Sequence, residues 1–287
     1  MQSAKLTRRL AGTSAPIGPH KGSFTARALT QPIKRLIGPA ATAWVARRRW
    51  SLLCAWASWG RVQKPSDPRW IEVLDDPEFR RSVREVRDTS TLDTVRLANL
   101  WQWCGLSEEG AMIEVGAFRG GTALHLSNRW PRRRIFVCDT FEGFWHLQRD
   151  AELDAGVPAG SWCNRDREGV RALFAARGRD AVLLEGAFPQ SDTRNEVREI
   201  SFAHIDVDIY ASCLTSLDYL AGRATPSALF IVNDYLRSRT AGIKQAVAEF
   251  LKDHPGWLVL PVYPAQGVLF NAANHGSSAR CAGVPGR

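Results

Sequence analysis

Met112-Ile113-Glu114-Val115-Gly116-Ala117-Phe118-Arg119-Gly120-Gly121-Thr122 is the stretch on which the fold turns. A short, mainly apolar run reads as a buried strand, the glycines as a tight turn, and Gly121–Trp130 as the helix that follows. A dinucleotide-binding turn needs G-x-G-x-x-G, whose second glycine lets backbone approach a pyrophosphate. Phe118 holds that position here, which argues against a phosphate ligand. The spacing Glu-x-Gly-x-x-x-Gly-Gly still permits a tight turn and a close approach to a ligand, with Gly116 and Gly120 as its pivots. The helix-terminal amides of Gly121 and Thr122 could hold a carboxylate, a dipole interaction of about 0.3–1 kcal/mol.

Outward from this turn, apolar runs alternate with amphipathic ones. Strands are expected at Met112–Val115, Ile135–Cys138, Val182–Leu184, Phe202–Ile205 and Leu229–Val232. Helices are expected at Gly121–Trp130, Arg167–Arg177, Ser212–Leu220 and Ala241–Lys252. Short strands separated by helices imply parallel pairing with right-handed crossovers. Leu258–Val262 and Val268–Phe270 lie too close for a crossover and form an antiparallel hairpin. The expected fold is α/β, a doubly wound and mostly parallel seven-stranded sheet ending in that hairpin. Upstream, Leu92–Cys104 reads as a helix N-capped by Thr91 and ended by Gly105, covering the sheet or the mouth of a ligand site.

In such a sheet, ligands bind outside the carboxyl ends of the strands. Four of the five strand ends carry a carboxylate: Glu114, Asp139, Asp206 and Asp234. One aspartate there would be an ordinary helix cap. Four imply like charge gathered at one rim, which destabilises the fold unless a cation, a polar ligand or protonation relieves it. A sulfonium cofactor and a divalent metal would both relieve it. Asp139 can accept both hydroxyls of a ribose. A carboxylate holder, a ribose holder and no phosphate site together describe S-adenosylmethionine better than a nicotinamide dinucleotide.

The segments IEVGAFRGGTALHL, CDTFEGF, LLEGAF, HIDVDIYAS, IVNDY and GIKQAVAEF resemble the macrocin O-methyltransferase family over roughly residues 88–271. The resemblance implies a class I methyltransferase fold, S-adenosylmethionine, magnesium, and a sugar hydroxyl of a natural product as methyl acceptor. It implies Asp206, Asn233 and Asp234 as metal ligands, with Asp206 also at the catalytic centre. The family has Asp-Asp-Tyr where this chain has Asn233-Asp234-Tyr235; the asparagine offers a neutral oxygen that a hard cation accepts. Against this reading, Asn233 and Asp234 would be only a turn before the next helix.

The remaining candidates follow from position. Thr140 and Glu142-Gly143 border the cofactor beside Asp139, and Gly186 and Phe188 follow the third strand, where adenine lies, although Phe188 reads equally as core. His146, in the loop after the second strand, is either the base for the acceptor hydroxyl or a solvated loop histidine. His204 sits inside an apolar strand and reads as core. Asp208 and Tyr210 either serve the site or cap the next helix. Trp145 and Trp162 line an acceptor pocket or pack in exposed loops.

The formal charge of +9 belongs to one segment. Residues 1–66 hold twelve of the 38 basic side chains and no acid, leaving 67–287 at −3. The chain reads as a basic leader, 1–66, ahead of a mildly acidic catalytic domain, 67–287. The leader is a partly disordered tail, an amphipathic element on an anionic membrane surface, or an organellar transit segment. Six scattered cysteines without a C-x-x-C pair argue against a zinc or disulfide framework and for a reducing cytoplasm. A homo-oligomer is compatible with the pattern, and nucleic acid is disfavoured because the body lacks an aromatic-basic stacking motif. The competing readings are a non-catalytic scaffold that kept the fold and a nucleic-acid methyltransferase with the leader as its phosphate-binding arm.

Overall fold

The structure, a computed structural model, describes residues 73–144, 149–158 and 160–275. The readings of residues 1–66, Trp145 and His146 fall outside these residues.

Seven strands build one sheet: β1 (Ala111–Val115), β2 (Ile135–Asp139), β3 (Ala181–Glu185), β4 (Ile200–Ile205), β5 (Ala224–Val232), β6 (Trp257–Val262) and β7 (Gln266–Asn271). Their order is β3-β2-β1-β4-β5-β7-β6. The first five strands pair in parallel, while β7 runs antiparallel to both β5 and β6. From β1 the chain winds outward to β2 and β3, then returns to β4 on the other side. The order therefore reverses between β1 and β4, where such sheets open a crevice for ligand.

Helices α1 (Pro77–Val86), α2 (Thr94–Leu106) and α3 (Gly121–Arg129) pack on one face over Met112, Val137, Phe202 and Ile231. On that same face α4 (Arg167–Ala175) lies against β3 through Val170 and Phe174, while on the opposite face α5 (Tyr210–Ala221) and α6 (Ala241–Asp253) cover Ile113, Phe136, Ala203 and Phe230. The alternation of faces along each strand is the two-residue period of a sheet buried on both sides. Among the described residues, no helix is long and apolar enough to cross a membrane.

Two local expectations are corrected, and one helix is new. The N-cap of α2 is Asp93 rather than Thr91: its carboxylate accepts the Arg96 amide at 2.9 Å, a stronger cap than a hydroxyl two residues earlier. The helix also runs through Gly105 to Leu106, because Ser107 closes it with a bond from its amide to the Cys104 carbonyl. Helix α1 was hidden by its charge. Only Phe79, Val83 and Val86 mark its inner face, yet Asp76 caps it and also accepts the Trp101 indole N–H at 2.9 Å.

Candidate active site

A cavity of about 300 Å³ opens at the carboxyl ends of β1, β2, β4 and β5. Its floor is the β1 turn. Gly116 adopts φ +92°, and a side chain there would run into the backbone carbonyl of Asp206. Only glycine lets β1 and β4 approach so closely at the point where the crevice begins. The amides of Gly116 and Ala117 bond the Cys138 carbonyl at 2.8 and 3.1 Å, which fixes this turn to the end of β2.

Asp139 stands at that end. Its Oδ2 accepts the Phe118 amide and its Oδ1 the Phe141 amide, both at 2.6 Å, so one carboxylate clamps two loops. Burial nevertheless pushes its pKa up, and those backbone N–H groups only partly offset this. Thr140, Gly143, Gly186, Ala187 and Phe188 complete that side of the cavity. Phe188 rests edge-on against Tyr219 of α5, so it serves both wall and core.

The opposite side is a carboxylate cluster. Asp206, Asp208, Asn233 and Asp234 all line the cavity. The Asn233 amide donates to Asp206 Oδ1 at 2.8 Å and to Asp234 Oδ1 at 3.0 Å. Asp208 and Asp234 share a hydrogen bond, and both hold a left-handed backbone, φ +58° and +60°. Such conformations in non-glycine residues cost about 1–3 kcal/mol and persist at sites where surrounding structure imposes them. Burial beside Asp206 and Asp234 drives the Asp208 carboxyl up to about 8, against which the Trp162 indole donates a hydrogen bond. Burial beside Asp206 also raises Asp234, while Arg237 and Arg96 pull it down.

Arg96, which sequence reasoning missed, reaches this cluster from the first turn of α2. Its side chain is 9% exposed, its Nε holds Asp93 at 3.0 Å, and its Nη1 lies 3.4 Å from Asn233 Oδ1 and 3.5 Å from Asp234 Oδ1. Arg237 also contacts Asp234, Nε to Oδ1 at 3.2 Å. At the mouth, Trp162 meets the Phe118 ring edge-on at 5.6 Å, and the Arg119 guanidinium lies over Phe118.

Three cofactor expectations are corrected by placement. Glu114 does not line the cavity: at 1% exposure it faces the His204 Nδ1 at 3.0 Å, between β1 and β4. Burial pushes it up to about 7, which the bond to His204 partly reverses. Gly120, at φ +72°, packs against Val170 and Phe174 of α4 instead of a ligand. Thr122 bonds the Ser90 hydroxyl at 2.9 Å, and Thr89-Ser90 backbone presses on Gly121, covering the helix terminus expected to hold a carboxylate. Asp139, Asp206 and Asp234 share one rim, which Asp208 joins and Glu114 does not.

A family model described as Macrocin-O-methyltransferase (TylF) matches residues 104–256. Among solved structures, the O-methyltransferase NovP is similar at 21% identity, covering 64% of this chain and 81% of its own, with a TM-score of 0.56. The calicheamicin methyltransferase CalS11 is similar at 19% identity, covering 74% of this chain and 98% of its own, with a TM-score of 0.47. No match was found among curated proteins.

Proposed function

The chain belongs to the macrocin-O-methyltransferase family and is an S-adenosylmethionine-dependent O-methyltransferase; we propose that its acceptor is a sugar hydroxyl of a natural product and that Asp208 is the base. The observation that carries this reading is the gathering of Asp206, Asp208, Asn233 and Asp234 on one wall of a cavity whose other wall is Asp139. The acids of one wall suit a hydroxyl nucleophile and a positively charged donor. The other wall suits the uncharged nucleoside.

The residues fit the cofactor. Gly116 borders the cavity where its amino-acid end would lie, each Asp139 oxygen keeps a lone pair for a ribose hydroxyl, and Thr140, Gly186 and Phe188 flank the adenine. Bound there, S-adenosylmethionine supplies a methyl group on a sulfonium, whose departure needs no further activation. The protein's task is to aim an acceptor oxygen and take its proton. Asp208 suits the second task because its environment raises it toward neutrality, where a carboxylate is a stronger base. Asp206 sits beside it on the same loop and orients the hydroxyl. The half-exposed Trp162 offers a flat face to a pyranose ring at the mouth.

The magnesium implied by the family is poorly served by these side chains. Asn233 turns its amide nitrogen, not its oxygen, toward both carboxylates. No step of the mechanism is assigned to a metal.

The test is a transfer assay with methyl-labelled S-adenosylmethionine against glycosides, free catechols and aliphatic alcohols, with wild type and Asp208→Asn. Label in glycosides that disappears in Asp208→Asn supports the reading. Label confined to catechols overturns the acceptor class, and an active Asp208→Asn overturns the base.

A further inference from the structure

We propose that the transfer centre of this chain works without a divalent cation, and that the Arg96 guanidinium and the Asn233 amide tie Asp206 to Asp234 in its stead. This rests on the reading above that these residues form the transfer centre.

The orientation of the Asn233 amide is the decisive point. Oxygen and nitrogen of an amide have nearly the same shape, so their assignment follows from their partners. Here the partners on both sides agree. Two carboxylate oxygens, at 2.8 and 3.0 Å, require donors, and an amide nitrogen has two. On the far side, Arg96 Nη1 at 3.4 Å requires an acceptor and meets Oδ1. Turning the amide over would set its carbonyl against both carboxylates and its NH₂ against a guanidinium. A cation placed between the carboxylates would need that reversed amide, since magnesium and calcium take oxygen ligands.

Arg96 cannot easily give way. Its side chain is 9% exposed, its Nε is held by Asp93 at 3.0 Å, and α2 anchors its backbone. A divalent ion would therefore enter beside a fixed positive charge 3.5 Å from Asp234 Oδ1. Arg237 occupies the same oxygen from the solvent side at 3.2 Å and Asp234 Oδ2 at 3.3 Å. Both Asp234 oxygens and one Asp206 oxygen are thus already engaged by N–H donors. Two guanidiniums face the cluster, and one acid of the family's Asp-Asp pair is replaced by a neutral amide. Part of the charge that a metal would neutralise is already offset by these guanidiniums.

Manganese titration followed by electron paramagnetic resonance tests this on the full-length chain, with and without S-adenosylhomocysteine, for wild type, Asn233→Asp and Asp206→Ala. Wild type should show no saturable manganese site, and Asn233→Asp should gain one, because a charged oxygen replaces an N–H donor. A stoichiometric site in wild type that Asp206→Ala removes overturns the proposal. So does transfer activity that is lost in chelator and restored by magnesium. Should Asn233→Asp fail to fold, the wild-type titration alone decides. The titration needs no acceptor, so a failed glycoside assay, which would refute the proposed function, leaves this outcome separately readable.

Discussion

The Glu114 carboxylate and the His204 imidazole meet at 3.0 Å across the β1–β4 pairing, at 1% and 0% exposure. His204 Nε2 has no hydrogen-bond partner among the described residues. Removing one member of such a buried pair leaves the other stranded, at a cost of about 3–5 kcal/mol. Glu114→Ala should therefore lose stability on that scale in urea denaturation. Glu114→Gln, which keeps a polar partner for His204, should lose much less. Neither carboxylate oxygen reaches the cavity wall, so S-adenosylhomocysteine affinity of the folded Glu114→Gln protein should stay within a few-fold of wild type by calorimetry. A loss of a hundredfold there would return Glu114 to the cofactor site.

Asp208 carries a pH signature. A base held near 8 is mostly protonated at neutral pH, so kcat/KM should climb as pH rises and level off above about 8. Asp208→Asn should lower kcat by about a hundred- to ten-thousand-fold and flatten that limb. Stability should move the opposite way. The unfolded carboxyl releases its proton near 4, whereas the folded one keeps it to about 8. Between those values the native state binds more protons, so stability falls as pH rises through this window. Thermal midpoints measured from pH 5 to 8 should show the fall in wild type and a weaker one in Asp208→Asn. A rise across the window attributable to Asp208 would refute the assignment.

Asp139 should act through both backbone and cofactor. Asp139→Ala strands the amides of Phe118 and Phe141, each worth about 1–3 kcal/mol when left unsatisfied in a buried place. Denaturation midpoints and S-adenosylhomocysteine affinity should drop together. Asp139→Asn keeps one acceptor oxygen, so it should fall between Ala and wild type in both measurements. Affinity unchanged in a destabilised Asp139→Ala would confine its role to the loops.

What the sequence made legible, and what it hid, follows from the range of the interactions. Asp139, Asp206, Asn233 and Asp234 were found because a strand's end can be read locally, and the doubly wound outline brings such ends together. Glu114 was misplaced because its proximity to Gly116 outweighed the alternation of side chains along β1. Val115 faces the cavity, and Glu114 must face the other way, toward a His204 identified only once β1 and β4 are paired. Arg96 went unnoticed as one charge in an amphipathic helix. Its signal was its position four residues from both Leu92 and Leu100 on the apolar face, where a lone arginine needs a buried partner. The covering of Gly121 and Thr122 by Thr89-Ser90 had no local signal at all, because it joins segments some thirty residues apart.

Trp162 separates the electrostatic from the steric role of the cavity mouth. Its indole N–H bonds Asp208 and favours the ionised form, while its ring, 46% exposed, abuts Phe118. Trp162→Phe removes the donor and keeps an aromatic face. The alkaline limb of kcat/KM should then shift to higher pH, since the carboxyl loses a bond that had been lowering its pKa. Acceptor KM should hold, because stacking on a ring does not need the N–H. Trp162→Ala removes both, so the limb should shift in the same direction and acceptor KM should rise as well, while calorimetric affinity for S-adenosylhomocysteine changes little. If Trp162→Phe leaves the limb where wild type has it, the indole does not act on Asp208, and the rise in its pKa must come from burial and the neighbouring acids alone.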